Sequence, residues 1–245
     1  EHLETLDTLL GAAAAGGVTS LAIQPSTDPV IDNASLINSL QMRASRRKGP
    51  TLYCHGAMSR NLDGTQMAEL GMMADAGAVG FSNGTSSIQD SQSMRRILTY
   101  SAMLNKPVIH HCEDTSLSDA SDMNEGATST RLGLIGSPAE AETIILERDL
   151  QLVRLTGARY HAAHLTTAAS LDAVRRAKAE GLPVTADTAA PYFQLNELAV
   201  STYSSSAKLN PPLRTEHDRQ AVMTALADGT IDAIVSDHVP VNPDM

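Results

Sequence analysis

The run KPVIHHCE, residues 106–113, is an apolar segment that ends in histidine and glutamate. A helical segment, 91–105, precedes it, and another, 137–156, leads through Gly157 to the strand-like run ARYHAAHLT, 158–166. Uninterrupted apolar runs, each reached through a helix and a Gly or Pro, are typical of strands buried on both faces of a parallel sheet. This stretch therefore predicts alternating helices and parallel strands, an α/β fold.

The same order of elements extends along the chain in both directions. Strand-like runs are predicted at 18–23, 51–58, 78–82, 106–113, 158–166, 182–188 and 231–237. Helices are predicted in the opening segment, which ends at Gly16-Gly17, and at 34–47, 64–76, 91–105, 137–156, 168–180 and 215–228. The segments 114–136 and 189–214 are expected to be long βα loops, where barrel enzymes carry specificity.

Seven such strands favour a (β/α)8 TIM barrel over an open doubly wound sheet. An open sheet of this kind usually carries a phosphate-binding loop, and no GxGxxG or Walker pattern occurs. A complete barrel takes about 250 residues, whereas this chain of 245 opens on a helix without a preceding strand. We expect residues 1–245 to form a single barrel domain, a fragment with strands two to eight whose first strand lies upstream.

Composition excludes several classes of partner. The net charge is 18 − 28 = −10, which argues against nucleic acid and against a polybasic membrane contact. No apolar run approaches the roughly 20 residues of a membrane helix. Cys54 and Cys112 lie in strand-like runs and imply no disulfide framework. We therefore expect a cytoplasmic protein.

Polar residues stand at the ends of the predicted strands, where barrel enzymes place catalysis. They are His55, Asn83, His110, His111, Glu113, Asp114, His161, His164, Asp187, Asp237 and His238. Imidazole and carboxylate groups that converge from different strands suit a divalent ion such as zinc. We expect His111, His164 and Asp237 to line one site. His110 and His161 are expected to pack in the core or to support the ligands from behind, and not to be ligands themselves. His55 is open between a core and a functional role, and His2 and His217 are expected at the surface.

Longer motifs carry a family resemblance. AAAAGGVTSLAIQPSTDPVIDN, HHCED, MNEGATSTRLGLIGSPAEAE, ERDLQLVRLTGARYHAAHLTTAAS, KLNPPLR and DGTIDAIVSDHVP occur in this order. Together they resemble the dihydroorotases of the amidohydrolase superfamily, in particular the long bacterial type. The resemblance implies a TIM barrel of the metal-dependent amidohydrolase type, with terminal β-sandwich segments outside this chain.

The resemblance also implies an activity, which is the zinc-dependent interconversion of N-carbamoyl-L-aspartate and L-dihydroorotate in pyrimidine biosynthesis. By motif match, His111 and His164 are ligands of one or two zinc ions, and Asp237 is both a ligand and the acid–base group. Asn210 in KLNPPLR and Ser26 in the "MPNT"-like segment are expected at the substrate. A homodimer is expected as well.

Several positions depart from the family pattern. Asn83 replaces the aspartate of "FSDDG" that bridges two zinc ions, Ser26 replaces the asparagine of "MPNT", and Val241 replaces the last histidine of "DHAPH". Pro191, Tyr192 and Phe193 stand where the family has "PHH". An alternative is therefore a dihydroorotase-like protein with a degenerate site that supports assembly of aspartate transcarbamoylase. A third hypothesis, hydrolysis of another cyclic amide such as a hydantoin or allantoin, ranks last because no lysine lies near Asn83.

Overall fold

The computed structural model describes residues 3–240 and confirms all seven predicted strands. In chain order the strands are β1 (Ser20–Ile23), β2 (Thr51–Ala57), β3 (Gly80–Ser82), β4 (Val108–His111), β5 (Met123–Asn124), β6 (Gly136–Ser137), β7 (Tyr160–Ala163), β8 (Val184–Ala189) and β9 (Ala233–Val235). All except β5 and β6 form one parallel sheet in the order β1-β2-β3-β4-β7-β8-β9. The sheet is curled into a half-barrel with alternating helices.

The helices are α1 (Leu6–Ala15), α2 (Ala34–Ser45), α3 (Leu70–Asp75), α4 (Ser91–Met103), α5 (Thr115–Ser118), α6 (Ala127–Leu132), α7 (Glu140–Thr156), α8 (Ala168–Ala179), α9 (Ala190–Gln194) and α10 (Glu216–Asp228). Seven of these helices occur where the sequence predicts a helix, whereas α5, α6 and α9 lie in the segments that were predicted to be loops. Among the described residues, no helix is both long and apolar enough to cross a membrane.

Side-chain caps explain where several of these helices begin. Asn33, Asp90, Thr167 and Thr215 each accept a hydrogen bond from the backbone N–H three residues further on. Such a bond satisfies one of the free N–H groups of the first turn. Each helix therefore starts at a defined residue at the carboxyl side of the preceding strand, which positions the loops that surround the site.

The core lies between the helices and the convex face of the sheet. Phe81, Val108 and Tyr160 on the strands and Leu98 and Leu146 on α4 and α7 are almost completely buried. Cys54 and Cys112 are buried and free, as predicted. The sheet and its helices thus share one hydrophobic core. The assignment of residues 1–245 to a single domain stays a prediction.

The predicted helix at 64–76 is wrong over its first six residues, because α3 begins only at Leu70. The Asp63 carboxylate accepts the N–H groups of Thr65 at 2.8 Å and Gln66 at 3.2 Å, which holds a turn. Met67 then forms an antiparallel bridge with Ser59. These contacts take up the backbone groups that a helix would need.

The segments 114–136 and 189–214 were expected as loops, and this expectation is wrong in part. The first contains α5, β5 and α6, with β5 paired to β6 in parallel, and the second contains α9 and two 3-10 helices, Glu197–Thr202 and Ser205–Ala207. These elements are short, and contacts between the two segments stabilise them. Residues with so little periodicity of their own give no strong local signal.

Candidate active site

Three predicted ligands meet at the carboxyl ends of the strands. His111 is the last residue of β4, His164 follows β7, and Asp237 lies two residues beyond β9. The rings of His111 and His164 are 5.9 Å apart between centroids, and His164 Nε2 lies 3.7 Å from Asp237 Oδ1. The structure therefore brings together His111, His164 and Asp237, which we call the trio.

The two nitrogens of His111 have different surroundings. Nε2 lies 3.1 Å from Glu113 Oε2, whereas Nδ1 is buried and has no hydrogen-bond partner. If Nε2–H donates to the carboxylate, the lone pair of Nδ1 is available, as in a metal-binding histidine held by a carboxylate. A buried nitrogen without a partner, beside a second imidazole and a carboxylate, is a donor set that fits zinc.

Glu113 is held as a carboxylate by its neighbours. Burial raises the pKa of this group, but hydrogen bonds with His111 and Ser118 outweigh burial and lower the pKa to about 2. Asn210 adds a contact, with its Nδ2 3.4 Å from Glu113 Oε2. Asn210 therefore lies where the sequence predicts a substrate-binding residue, although its role stays a prediction.

The backbone is strained at two members of the trio. His164 has a φ of 57° and Asp237 a φ of 47°, in the left-handed region that few residues other than glycine adopt. The surrounding structure must hold such conformations, and they cluster at functional sites. At His164 one such contact is visible, because its N–H donates to Asp187 Oδ1 at 2.6 Å.

Asp187 and His161 support His164 from β8 and β7. The Asp187 carboxylate lies 2.8 Å from His161 Nε2 through its second oxygen, and His161 Nδ1 lies 2.7 Å from Thr185 Oγ1. Burial lowers the pKa of His164, although Asp187 and Asp237 act in the opposite direction. His161 thus contacts the carboxylate that holds the backbone of His164, and the strand-end aspartate in VTADT was the sequence signal for this contact.

His55 on β2 is mostly buried, and its Nδ1 has no hydrogen-bond partner. Burial, and secondarily the nearby His161, lower the pKa of His55 to about 4. Asp114 caps α5, and the exposed His238 contacts Glu4. His217 is exposed as predicted, whereas His2 lies outside the described residues.

The side-chain amide of Asn83 is already hydrogen-bonded to Ser59. Asn83 is buried, its Oδ1 accepts the N–H of Ser59 at 3.1 Å, and its Nδ2 donates to Ser59 Oγ at 2.8 Å. Ser59 Oγ in turn accepts the Gly64 N–H at 2.8 Å. Asn83 therefore holds the turn after β2.

Ser26 is exposed and lies against Gly84, where an added Cβ would come 3.2 Å from the Ser26 Oγ. Val241 lies outside the described residues.

A cleft next to the trio is lined by His111, Glu113, Ser137, Glu142, Asn210 and Arg214, among others. Arg214 is buried and donates to Thr166 Oγ1, Asn124 Oδ1 and the Ser137 carbonyl at 3.0 to 3.2 Å. The sequence pattern did not identify Arg214 or Glu142 as residues that line this cleft. The KLNPPLR motif, which ends at Arg214, was the available signal for the arginine.

A second group of ligand-type side chains lies behind β4. His110, Cys112 and Asp149 are all buried, and their ligand atoms lie within 4.8 Å of one another. His110 Nδ1 and Asp149 Oδ2 are only 2.6 Å apart. Groups that bind one zinc ion at about 2.1 to 2.3 Å stand roughly 3.3 Å apart. The pair is therefore a direct hydrogen bond in this structure, with no space for an ion between its two atoms.

Comparison with known proteins agrees with this architecture. Among solved structures, L-hydantoinase from Arthrobacter aurescens superimposes with a TM-score of 0.79 at 21% identity, covering 93% of this chain and 52% of that one. A D-hydantoinase superimposes with a TM-score of 0.78 at 19% identity, covering 98% of this chain and 54% of that one. At such identities the likeness concerns the fold alone. The curled parallel sheet is thus part of an amidohydrolase-type TIM barrel.

Sequence comparison gives the family within this class. Residues 1–170 match the family model described as "Dihydro-orotase-like". A "Dihydroorotase" from Desulfotalea psychrophila is 47% identical over 240 residues, and one from Pelotomaculum thermopropionicum is 46% identical over 241; each match covers 98% of this chain. The chain spans 57% and 56% of those relatives' lengths. The chain belongs to the dihydro-orotase-like family.

Proposed function

We propose that the protein is a zinc-dependent cyclic amide hydrolase that interconverts N-carbamoyl-L-aspartate and L-dihydroorotate in pyrimidine biosynthesis. The observation that carries the proposal is the trio, with His111 Nδ1 buried and without a partner. The relatives named dihydroorotase support this choice of substrate.

Each residue of the site has a role in this proposal. His111 and His164 would hold zinc through neutral imidazole, and Asp237 through its carboxylate. Bound zinc supplies a Lewis acid that polarises the amide carbonyl and makes water a better nucleophile. Asp237 accepts the proton of the attacking water and returns it to the leaving ring nitrogen. Asn210, which lines the same cleft, would donate hydrogen bonds to the ring.

Hydrolysis of dihydroorotate, followed in the ultraviolet with zinc supplied, tests the proposal. We expect turnover that a chelator abolishes. Asp237→Asn should remove turnover while the circular dichroism spectrum and the Tm stay unchanged, because the amide keeps the shape but cannot accept the proton. Asp172→Asn, which alters an exposed carboxylate paired with Arg175 on α8, is the matched control. An unchanged rate in Asp237→Asn would contradict the proposed role.

A non-catalytic role beside aspartate transcarbamoylase is a second candidate, and the state of Asn83 favours it. The Asn83 amide is engaged by Ser59, and an amide binds divalent cations more weakly than a carboxylate. Sedimentation of the protein with aspartate transcarbamoylase at micromolar concentration tests this candidate. Co-sedimentation without dihydroorotate turnover would support it, whereas independent sedimentation would exclude it.

The remaining expectations also belong to the proposal. We propose a homodimer of single-domain barrels that acts in the cytoplasm on a small-molecule substrate, without nucleic acid or membrane partners. The family resemblance and the net charge of −10 support these points. Sedimentation of the protein alone measures the oligomeric state.

A further inference from the structure

A buried hydrogen-bond network lies on the face of β4 opposite to His111. Its centre is Asp149 on α7, which is completely buried. Asp149 Oδ2 accepts from His110 Nδ1 at 2.6 Å and from the Tyr160 hydroxyl at 2.8 Å. Asp149 Oδ1 accepts from Arg148 Nε at 2.9 Å and Nη2 at 2.7 Å. All the hydrogen-bonding capacity of this carboxylate is therefore directed into the protein.

The network binds the segment that precedes α4. Because His110 Nδ1–H donates to Asp149, its Nε2 is an acceptor, and it accepts the Ile88 N–H at 2.9 Å. Ser87 Oγ lies 3.2 Å from the same nitrogen, and Arg148 Nη1 donates to the Gln89 carbonyl at 2.7 Å. Residues 87–89 are thus attached at three points to β4 and α7.

The same segment holds the backbone that follows β4. The Glu113 N–H points to Ser87 Oγ at 3.4 Å, and the Gln89 amide donates to the Glu113 carbonyl at 2.8 Å. Gln89 Oε1 also accepts the Thr115 N–H at 3.3 Å. Residues 87–89 therefore connect the buried network to Glu113, whose carboxylate contacts His111 and Asn210.

Cys112 does not convert this network into a metal site. His110 Nδ1 and Asp149 Oδ2 are hydrogen-bonded to each other at 2.6 Å and leave no space for an ion between them. The thiol lies 3.2 Å from the Tyr160 hydroxyl and completes the hydrogen bonding there.

We propose that His110 and Asp149 are positioning residues that clamp residues 87–89 against the chain after β4 and thereby orient Glu113 beside His111. The clamp is independent of what the site does, whereas its effect on turnover rests on the proposed function. The network occupies the rear of β4, and the trio occupies the front. We therefore expect a change at Asp149 to reach Glu113 through residues 87–89.

Two variants break this path at different points. In Asp149→Asn, the new amide N–H favours the His110 tautomer whose Nδ1 carries no proton. The ring proton then lies on Nε2 and faces the Ile88 N–H, so that the hydrogen bond between them is lost. Gln89→Ala removes the exposed link to Glu113 and Thr115 and leaves the core intact. Ser101→Ala is the control, because Ser101 is a buried α4 residue whose hydroxyl donates to the Lys106 carbonyl, away from the clamp.

Amide hydrogen exchange of the purified protein measures the clamp directly. We expect the Glu113 and Thr115 amides to exchange about tenfold faster in Asp149→Asn and in Gln89→Ala, and at an unchanged rate in Ser101→Ala. Unchanged exchange at both amides in Gln89→Ala would overturn the proposal. A zinc stoichiometry that falls in Cys112→Ser would overturn it too, since it would make the network a metal site.

Turnover then separates positioning from simple destabilisation. If the proposed function holds, Gln89→Ala should lower kcat for dihydroorotate about tenfold at an unchanged Tm, because a misplaced Glu113 no longer orients His111. Faster exchange without turnover in the unaltered protein would contradict the proposed function and leave the clamp in place. Faster exchange with an unchanged kcat would overturn the positioning role.

Discussion

At the scale of single residues, the site depends on which atom of each side chain is already paired. In His111, Nε2 contacts Glu113 and Nδ1 has no hydrogen-bond partner. In Asn83, the side-chain amide is hydrogen-bonded to Ser59. His164 and Asp237 are held in left-handed backbone conformations. These hydrogen bonds therefore determine which side-chain atoms of the candidate site are available to a ligand.

His55 gives a residue-scale prediction about pH. Its pKa is about 4 in the folded protein, below its ordinary value of 6.5, so the unfolded chain takes up a proton more readily. The neutral His55 side chain contributes fully to the free energy of unfolding above pH 6.5. This contribution is lost as the pH falls from 6.5 to about 4. The loss should be about 3 kcal/mol in the free energy of unfolding.

Urea unfolding of His55→Gln at pH 7, 5.5 and 4.5 measures this contribution. The variant should lose less stability across this range than the unaltered protein, because glutamine does not titrate. His217→Gln, which changes an exposed histidine on α10, should behave like the unaltered protein. Identical pH profiles for His55→Gln and the unaltered protein would refute the assignment.

At the scale of elements, the segments 114–136 and 189–214 stabilise each other. Glu197 accepts from Asn124 Nδ2 at 2.7 Å and from Thr128 Oγ1 at 2.6 Å. The Tyr203 hydroxyl donates to the Leu132 carbonyl at 2.8 Å. The two segments therefore form one wall, and the second segment also contains Asn210, which lines the cleft.

Arg214 joins this wall to the barrel, and its replacement is the element-scale prediction. Its guanidinium donates to Asn124 on β5, to the Ser137 carbonyl on β6 and to Thr166 after β7. Burial lowers the pKa of Arg214, and the nearby Glu142 acts in the opposite direction. Arg214→Met keeps an apolar side chain of similar length but removes the guanidinium. The buried acceptors then lose their donor, and Glu142 loses a nearby positive charge. We expect a loss of about 3 to 5 kcal/mol in the free energy of unfolding by urea.

An exposed arginine provides the comparison. Arg175 on α8 pairs with Asp172 and Asp228, and all three side chains are at least 39% exposed. Arg175→Met should cost at most about 1 kcal/mol, because water screens such pairs. Equal losses in the two variants would show that Arg214 is not the buried link described above.

At the scale of the whole molecule, the sheet has two open edges. Within residues 3–240, no strand pairs with the outer side of β1 or of β9. Ile234 in the middle of β9 is 56% exposed. In a closed (β/α)8 barrel, one further strand would pair with both of these edges.

The order of the seven strands follows from the sequence pattern, and so does the place of His111, His164 and Asp237 at the strand ends. Apolar runs bounded by Gly and Pro locate buried strands, and the carboxyl ends of parallel strands must lie at one edge of the sheet. Residues at those ends are therefore brought to the same edge, although Asp114 and His238 make other contacts there.

How these residues are paired depends on contacts between distant parts of the chain. Asn83 meets Ser59 across 24 residues, His110 meets Asp149 across 39, and Arg214 meets Asn124 across 90. Likewise the turn at Asp63 displaced a predicted helix, and contacts between two segments ordered the supposed loops. A local pattern reports the periodicity of one segment, whereas a hydrogen bond depends on which distant atom the fold brings within about 3 Å.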